Sequence, residues 1–165
     1  HGRTRAQGYE GQADWDLIAE VKQRAKLPII GNGDIRTVDQ AKNILKDSGV
    51  DAVMIGRGAL RNPWIFKECI GLDQNDFEGP CEVLGRYHDL LRTKYDLRST
   101  LISLRKFSSW LVYGYPGAAA FRSSMYHLLT IDELIQNTRI FFDRVAHLPK
   151  PKFESSESFM ASGHG

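Results

Sequence analysis

The chain has 165 residues, 42% hydrophobic and 25% charged, with a formal net charge of +2, which suits about one ordinary globular domain. No apolar run reaches the roughly 18 residues needed to span a bilayer, and no signal-peptide pattern opens the chain. Cys69 and Cys81 have neither metal-ligand spacing nor a disulfide framework around them, so the expectation is a reduced, cytoplasmic protein with no metal and no membrane partner.

The chain opens on HGRTRAQG (1–8), polar and nearly free of apolar residues. Helix and strand then alternate. ADWDLIAEVKQRAKL (13–27) sets Trp15, Ile18, Ala19, Val21 and Lys22 around a helical wheel, with Asp14 as N-cap. PIIG (28–31) is a short β-branched strand stopped by glycine. TVDQAKNILKDSG (37–49) carries a capping box, Thr37 with Gln40, and closes on Gly49. VDAVMIG (50–56) is apolar nearly throughout, as parallel strands covered on both faces are. RNPWIFKECI (61–70) predicts one helix, with Asn62 capping and Pro63 at its first position.

This alternation reads as βα units on a parallel sheet. Two strands do not make a stable sheet of that type, so further strands are expected from elsewhere in the polypeptide or from a second chain, and exposed edges would favour self-association. GLDQNDFEGPC (71–81) reads as a linker between a domain at 1–70 and a helical one at 82–147. Four helices are predicted in the latter, over 82–95, 101–113, 118–128 and 131–147, with GYPG breaking the second from the third. A small, polar tail over 148–165 is expected to be disordered.

Charge is unevenly spread. Residues 1–80 hold 11 Lys/Arg against 12 Asp/Glu, a balance of −1, and residues 81–165 hold 11 against 8, a balance of +3. Between 97 and 131 there is no acidic residue, while Arg98, Arg105, Lys106 and Arg122 are present. Such a stretch suits a polyanion, or is simply a solvated basic face.

Chemistry concentrates after the strands. GNGDI (31–35) follows the first and GRGAL (56–60) the second, and loops at the carboxyl ends of parallel strands line ligand crevices. Glycine lets backbone N–H groups approach an anion, and arginine adds charge and a bidentate fork. Either loop alone is an ordinary tight turn; the pair on consecutive strands makes a phosphate cradle. HGRT fits as a third loop on the same rim, where His1 would donate to a ligand and Arg3 and Arg5 would meet phosphates.

Together, HGRTR, ADW, PIIGNGDI, GVDAVMIGRGALRNPWIF and RKFSSWLVYGYPGAAAFR resemble the tRNA-dihydrouridine synthases, most of all their bacterial B-type branch, over about residues 1–147. The resemblance implies an α/β fold: the C-terminal part of an FMN-binding (βα)8 TIM barrel followed by a small all-helical domain, reducing the C5=C6 bond of particular uridines in tRNA with NADPH or NADH as electron donor. It implies that the chain starts in mid-barrel, after the sixth strand. It also implies that Asn32, Gly33 and Asp34 contact FMN, that Gly56 and Arg57 hold its phosphate, and that His1 lies beside the flavin. Arg105, Lys106 and Arg122 become RNA contacts, with Arg98. The family's general-acid cysteine belongs to an upstream loop that neither Cys69 nor Cys81 matches, so no catalytic residue is assigned here and the chain alone is expected to be inactive. Trp110, Tyr113 and Tyr115 would reach bases, but their helical spacing favours a core role. The alternatives are another FMN barrel oxidoreductase, of the dihydropyrimidine or dihydroorotate type, and a non-enzymatic RNA-binding remnant.

Overall fold

The computed structural model describes residues 1–8 and 10–151. The chain divides between Gln74 and Asn75 into two compact units, a division that falls within the 71–81 stretch. The tail expected at 148–165 lies, from residue 152 on, outside the described residues.

In the first unit, α1 (Trp15–Arg24) starts where Asp14 accepts the Leu17 N–H at 2.8 Å. The strands β1 (Ile30–Asn32) and β2 (Ala52–Met54) run parallel, with Gly31 opposite Val53. Between them, α2 (Val38–Ser48) opens on the Thr37–Gln40 capping box and closes on Gly49 in the left-handed conformation, φ 66°. The helices α1 and α2 pack on one another and α2 packs on β2. The core joins Ile35, Ala41, Ile55 and Ile65, with Trp15, Val38, Ile44, Val53 and Cys69 packed around it.

Two local expectations are corrected. Gly31 does not stop β1; the strand begins at Ile30 and runs through the glycine to Asn32. A Cβ at Gly31 would lie 2.5 Å from the Trp15 ring, so glycine here lets the indole of α1 press against the strand. The helix expected to start at Pro63 is the shorter α4 (Ile65–Cys69), and a separate short helix, α3 (Gly58–Arg61), comes before it. Asn62 ends α3 rather than capping α4, because the following proline drives it out of the helical region, to φ −130° and ψ 82°. Its side chain instead donates to Glu68 Oε2 at 2.6 Å. The sheet is also more open than a strand buried on both faces would be: Ile30 is 65% and Met54 55% exposed.

The second unit is helical. Its α5 (Pro80–Leu91) starts two residues before the expected point because Pro80 suits the first helical position and Glu82 accepts the Gly79 N–H at 2.6 Å. Next, α6 (Leu97–Leu111) starts four residues early, at an Asp96 cap that accepts from Ser99 N–H at 2.6 Å. The break at GYPG holds Gly114 and Gly117 at φ 84° and 80°. Then α7 (Ala118–Ser124) runs into a 3₁₀ turn at Met125–His127, and α8 (Ile131–Val145) opens on a Thr130–Glu133 capping box. Leu84 of α5, Leu104 of α6 and Leu134 of α8 are fully buried where these three helices meet. Tyr115 stands edge-on to Phe141 and Phe142, at 6.3 and 5.8 Å between centroids. It is a half-buried aromatic packed against these rings, and burial pushes its hydroxyl pKa up. Among the described residues no helix is long and apolar enough to cross a membrane.

Candidate functional site

Three loops of the first unit meet at a cleft of about 200 Å³ whose lining includes His1, Arg3, Asn32, Asp34, Gly56 and Arg57. The opening stretch reaches it through Gly2, which donates its N–H to the Asn32 carbonyl at 3.1 Å and accepts from Asp14 N–H at 2.7 Å. A Cβ at Gly2 would come within 2.6 Å of the Asp14 nitrogen, so only glycine lets HGRT lie against the end of β1. His1 Nδ1 accepts the Arg3 backbone N–H at 3.0 Å, which fixes the ring and, in the neutral form, leaves the proton on Nε2.

Asp34 is the hub. Among the described residues it is the one non-glycine at positive φ, 56°, a conformation Asp tolerates better than most side chains. Its carboxylate accepts from Arg3 Nη1 at 2.8 Å on Oδ1 and from Ala13 N–H at 2.8 Å on Oδ2. Arg3 Nη2 also stands 2.8 Å from Oδ2, making the pair a fork, and Arg57 Nη2 stands 3.7 Å from Oδ1. Burial pushes the Asp34 pKa up, but the hydrogen bonds from Arg3 and Ala13, with the charges of Arg3 and Arg36, outweigh it and hold the pKa below the ordinary aspartate value.

Arg3, expected to meet a phosphate, lines the cleft but is engaged within the protein. Its side chain is only 4% exposed, and it also donates Nε to the Glu10 carbonyl at 3.0 Å and Nη2 to that of Gly11 at 2.5 Å. Gly33 supports the loop without lining the cleft: its carbonyl accepts from Trp15 Nε1 at 3.0 Å, and a Cβ would fall 2.3 Å from that of Ala13. The two glycines of GRG differ. A Cβ at Gly56 would meet nothing within 4 Å, whereas one at Gly58 would lie 2.5 Å from the Ile35 carbonyl oxygen. Gly8, Ile35, Arg36 and Gly58 also line the cleft. Sequence reasoning had not assigned them, although Arg36 directly follows GNGDI and Gly58 completes GRG. Arg5 is exposed and does not line it.

The remaining basic candidates belong to the helical unit. Arg98 and Lys106 are exposed. Arg122 is half-buried, with its guanidinium carbon 6.0 Å from the Tyr113 ring centroid, within cation–π range. Arg105, expected among the RNA contacts, instead donates from Nη2 to the Leu128 carbonyl and so ties α6 to the end of the 3₁₀ turn. Burial pushes both thiols, Cys69 and Cys81, above the ordinary cysteine pKa, and neither lines the cleft. Among the described residues no group of three or more His, Cys, Asp or Glu could hold a metal ion.

The model of the Dihydrouridine synthase (Dus) family matches residues 1–146. A probable tRNA-dihydrouridine synthase of Mycobacterium tuberculosis (strain ATCC 25618 / H37Rv) is 34% identical over 142 residues, covering 81% of this chain and 36% of its own length. One from Rickettsia prowazekii is 36% identical over 132 residues, covering 76% and 40% respectively. A tRNA-dihydrouridine synthase B of Xanthomonas campestris pv. campestris is 35% identical over 159 residues, covering 92% and 48%. The chain thus spans between about a third and a half of the length of these curated relatives. With the match running through all three loops of the cleft and on across the helical unit, the chain belongs to the dihydrouridine synthase (Dus) family.

Proposed function

We propose that the protein is an FMN-dependent tRNA-dihydrouridine synthase acting in the cytoplasm, in which the first unit is the closing part of a (βα)8 barrel and the second a small helical RNA-binding domain. The observation that carries this reading is the convergence of His1, Asn32, Asp34, Gly56 and Arg57 on one cleft in a chain whose relatives bear that name.

The residues present fit the phosphate end of a flavin. Gly56 offers backbone with open space where a side chain would stand, and Arg57 and Arg36 bring positive charge to the cleft. Its volume, about 200 Å³, is below the roughly 300–1,000 Å³ of a pocket that encloses a whole ligand, so it would take the phosphate and part of the ribityl chain. When bound, FMN supplies the hydride carrier between NADPH or NADH and the uracil ring. This chain's part is to hold the phosphate through Arg57 and Gly56, to contact the cofactor from Asn32 and Asp34, and to offer an N–H from His1 Nε2. No thiol lines the cleft, so carbon protonation is not assigned to Cys69 or Cys81, and residues 1–165 by themselves are expected to bind without turning over.

In the helical unit, Lys106, Arg98 and Arg122 would grip tRNA phosphates, with Arg5 contributing from the first unit. Each phosphate contact steepens the salt dependence of binding by somewhat under one unit of log K per log of salt. The test is to titrate the protein with an unmodified tRNA transcript at two salt concentrations and, separately, with FMN. Salt-weakened tRNA binding together with quenching of flavin fluorescence supports the reading; a folded chain that does neither refutes it.

A further inference from the structure

The turn that follows β1 carries two residues at positive φ in succession, Gly33 at 148° and Asp34 at 56°. An aspartate in the left-handed region persists only where its surroundings hold it. On the side-chain side, Ala13 N–H and the Arg3 fork grip the Asp34 carboxylate. On the backbone side, the peptide group between Gly33 and Asp34, whose rotation decides where Asp34 points, is gripped by Trp15, whose Nε1 donates to the Gly33 carbonyl at 3.0 Å. The same ring fills the space beside Gly31, where a Cβ would lie 2.5 Å from it. Trp15 thus touches the chain on both sides of Asn32. It is not among the residues that line the cleft, whereas Asn32 and Asp34 are.

We infer that Trp15 is a positioning residue for the cofactor contacts: through the Gly33 carbonyl it fixes the turn that sets Asn32 and Asp34 at the cleft, and it touches no ligand itself. Its place at the first position of α1 makes the donor rigid, because Asp14 caps that helix by accepting the Leu17 N–H. The same helix start anchors the opening loop, since Asp14 N–H donates to the Gly2 carbonyl and Gly2 N–H to that of Asn32. Without the indole N–H, the ring can still pack, but the half-buried turn can exchange that bond for one to water and the peptide is free to rotate. The inference rests on the flavin reading of the cleft.

The test measures FMN binding to the whole chain by quenching of flavin fluorescence, with thermal melts run alongside. Trp15→Phe keeps an aromatic ring against Gly31 and removes the N–H, and should weaken FMN binding about three- to ten-fold, the scale of one neutral hydrogen bond. Val50→Ala is the control: it trims a buried residue just before β2, at the end of that strand away from the cleft, and does not line it. It should lower the melting temperature and bind FMN as the parent does, whereas a merely structural role for Trp15 predicts that both variants lose affinity as they lose stability. The inference is overturned if Trp15→Phe binds FMN as the parent does, or if Val50→Ala loses as much affinity. Should Trp15→Phe not fold, replacing the Trp15 indole by benzothiophene decides, since sulfur then stands where the N–H was and the shape is kept. Folded protein with weakened FMN binding supports the inference, and folded protein that binds like the parent overturns it. A parent chain that binds no FMN removes the flavin reading and the inference with it.

Discussion

Replacing Gly58 with alanine tests whether the cleft is built by close backbone approach. Gly58 is the first residue of α3, and its missing Cβ would sit 2.5 Å from the Ile35 carbonyl oxygen, 3.2 Å from Arg36 Cα and 3.3 Å from Ile55 Cγ2. A carbon and a carbonyl oxygen normally stand about 3.3–3.6 Å apart even in a weak C–H···O contact, so the methyl arrives some ~0.8 Å too close. Its neighbour is backbone, with no flexible end to swing away. Relief must move the segment at 35–36 off α3, separating the two loops that make the cleft. Overpacking of this kind costs about 1–3 kcal/mol. Alanine's better helix propensity belongs to helix interiors, and Gly58 opens a four-residue helix, so the net loss stays at about 1–3 kcal/mol, or at least about 4 °C in the melting temperature of a unit this size. The assay is urea and thermal unfolding followed by tryptophan fluorescence, since Trp15 and Trp64 report on the first unit. Gly56→Ala is the control: with nothing within 4 Å of the new methyl, stability should hold or rise by about 0.4–1 kcal/mol through the unfolded chain. The reasoning fails if Gly58→Ala melts with the parent, or if Gly56→Ala falls as far.

Ile65, fully buried in the core of the first unit, should cost about 2–5 kcal/mol when cut to alanine, read as a lower urea midpoint in the same fluorescence signal. The Asp34 pKa, lowered on folding from an ordinary value near 3.8, sets a sign. The stability it contributes is complete above that value and is lost as pH falls through the lowered folded pKa. Urea midpoints taken from neutral pH downward should therefore drop less steeply below 3.8 for Asp34→Asn than for the parent, and equal slopes would show that Asp34 is not a source of the acid sensitivity. Arg105→Ala and Lys106→Ala should separate structure from binding. Losing the Arg105 bond to the Leu128 carbonyl lowers stability by about 1–3 kcal/mol, while exposed Lys106 changes stability by less than ~0.5 kcal/mol and shows its effect in tRNA affinity. Identical melts for the two variants would contradict this division.

Local signals carried the first unit well wherever a single residue settles the geometry. Asp14, Thr37 with Gln40, and Gly49 mark helix ends in sequence because capping is decided within four residues, and each does so in the structure. The misreadings arose where a tertiary partner decides. Gly31 looks like a stop, but it is a strand residue made small by an indole 16 positions earlier. RNPWIFKECI reads as a helix capped by Asn62, yet Asn62 ends the short helix before it and the expected helix starts only at Ile65. The cleft was legible for a different reason: GNGDI runs off the end of β1 and GRG follows β2, and parallel pairing of those strands brings both loops to the same edge.

The arginines show where sequence reading stops. Arg3 and Arg57 both occur in glycine-containing loops on the cleft, and Arg105 neighbours Lys106 on one helix, so composition and spacing treat each pair alike. The fold separates them by what lies within reach of a long planar fork. Arg3 finds a carboxylate and two loop carbonyls on its own side of the chain, and Arg105 finds the open carbonyl of Leu128. Each becomes a strut, because fixed acceptors offset part of the cost of desolvating a guanidinium and the bonds tie one segment to another. The Arg57 side chain stays partly exposed at the cleft and Lys106 is exposed on its helix. Charge that is to meet an anion must remain accessible, so the exposed Lys106 and the part-exposed Arg57 are better candidates for RNA or phosphate than Arg3, whose side chain is 4% exposed.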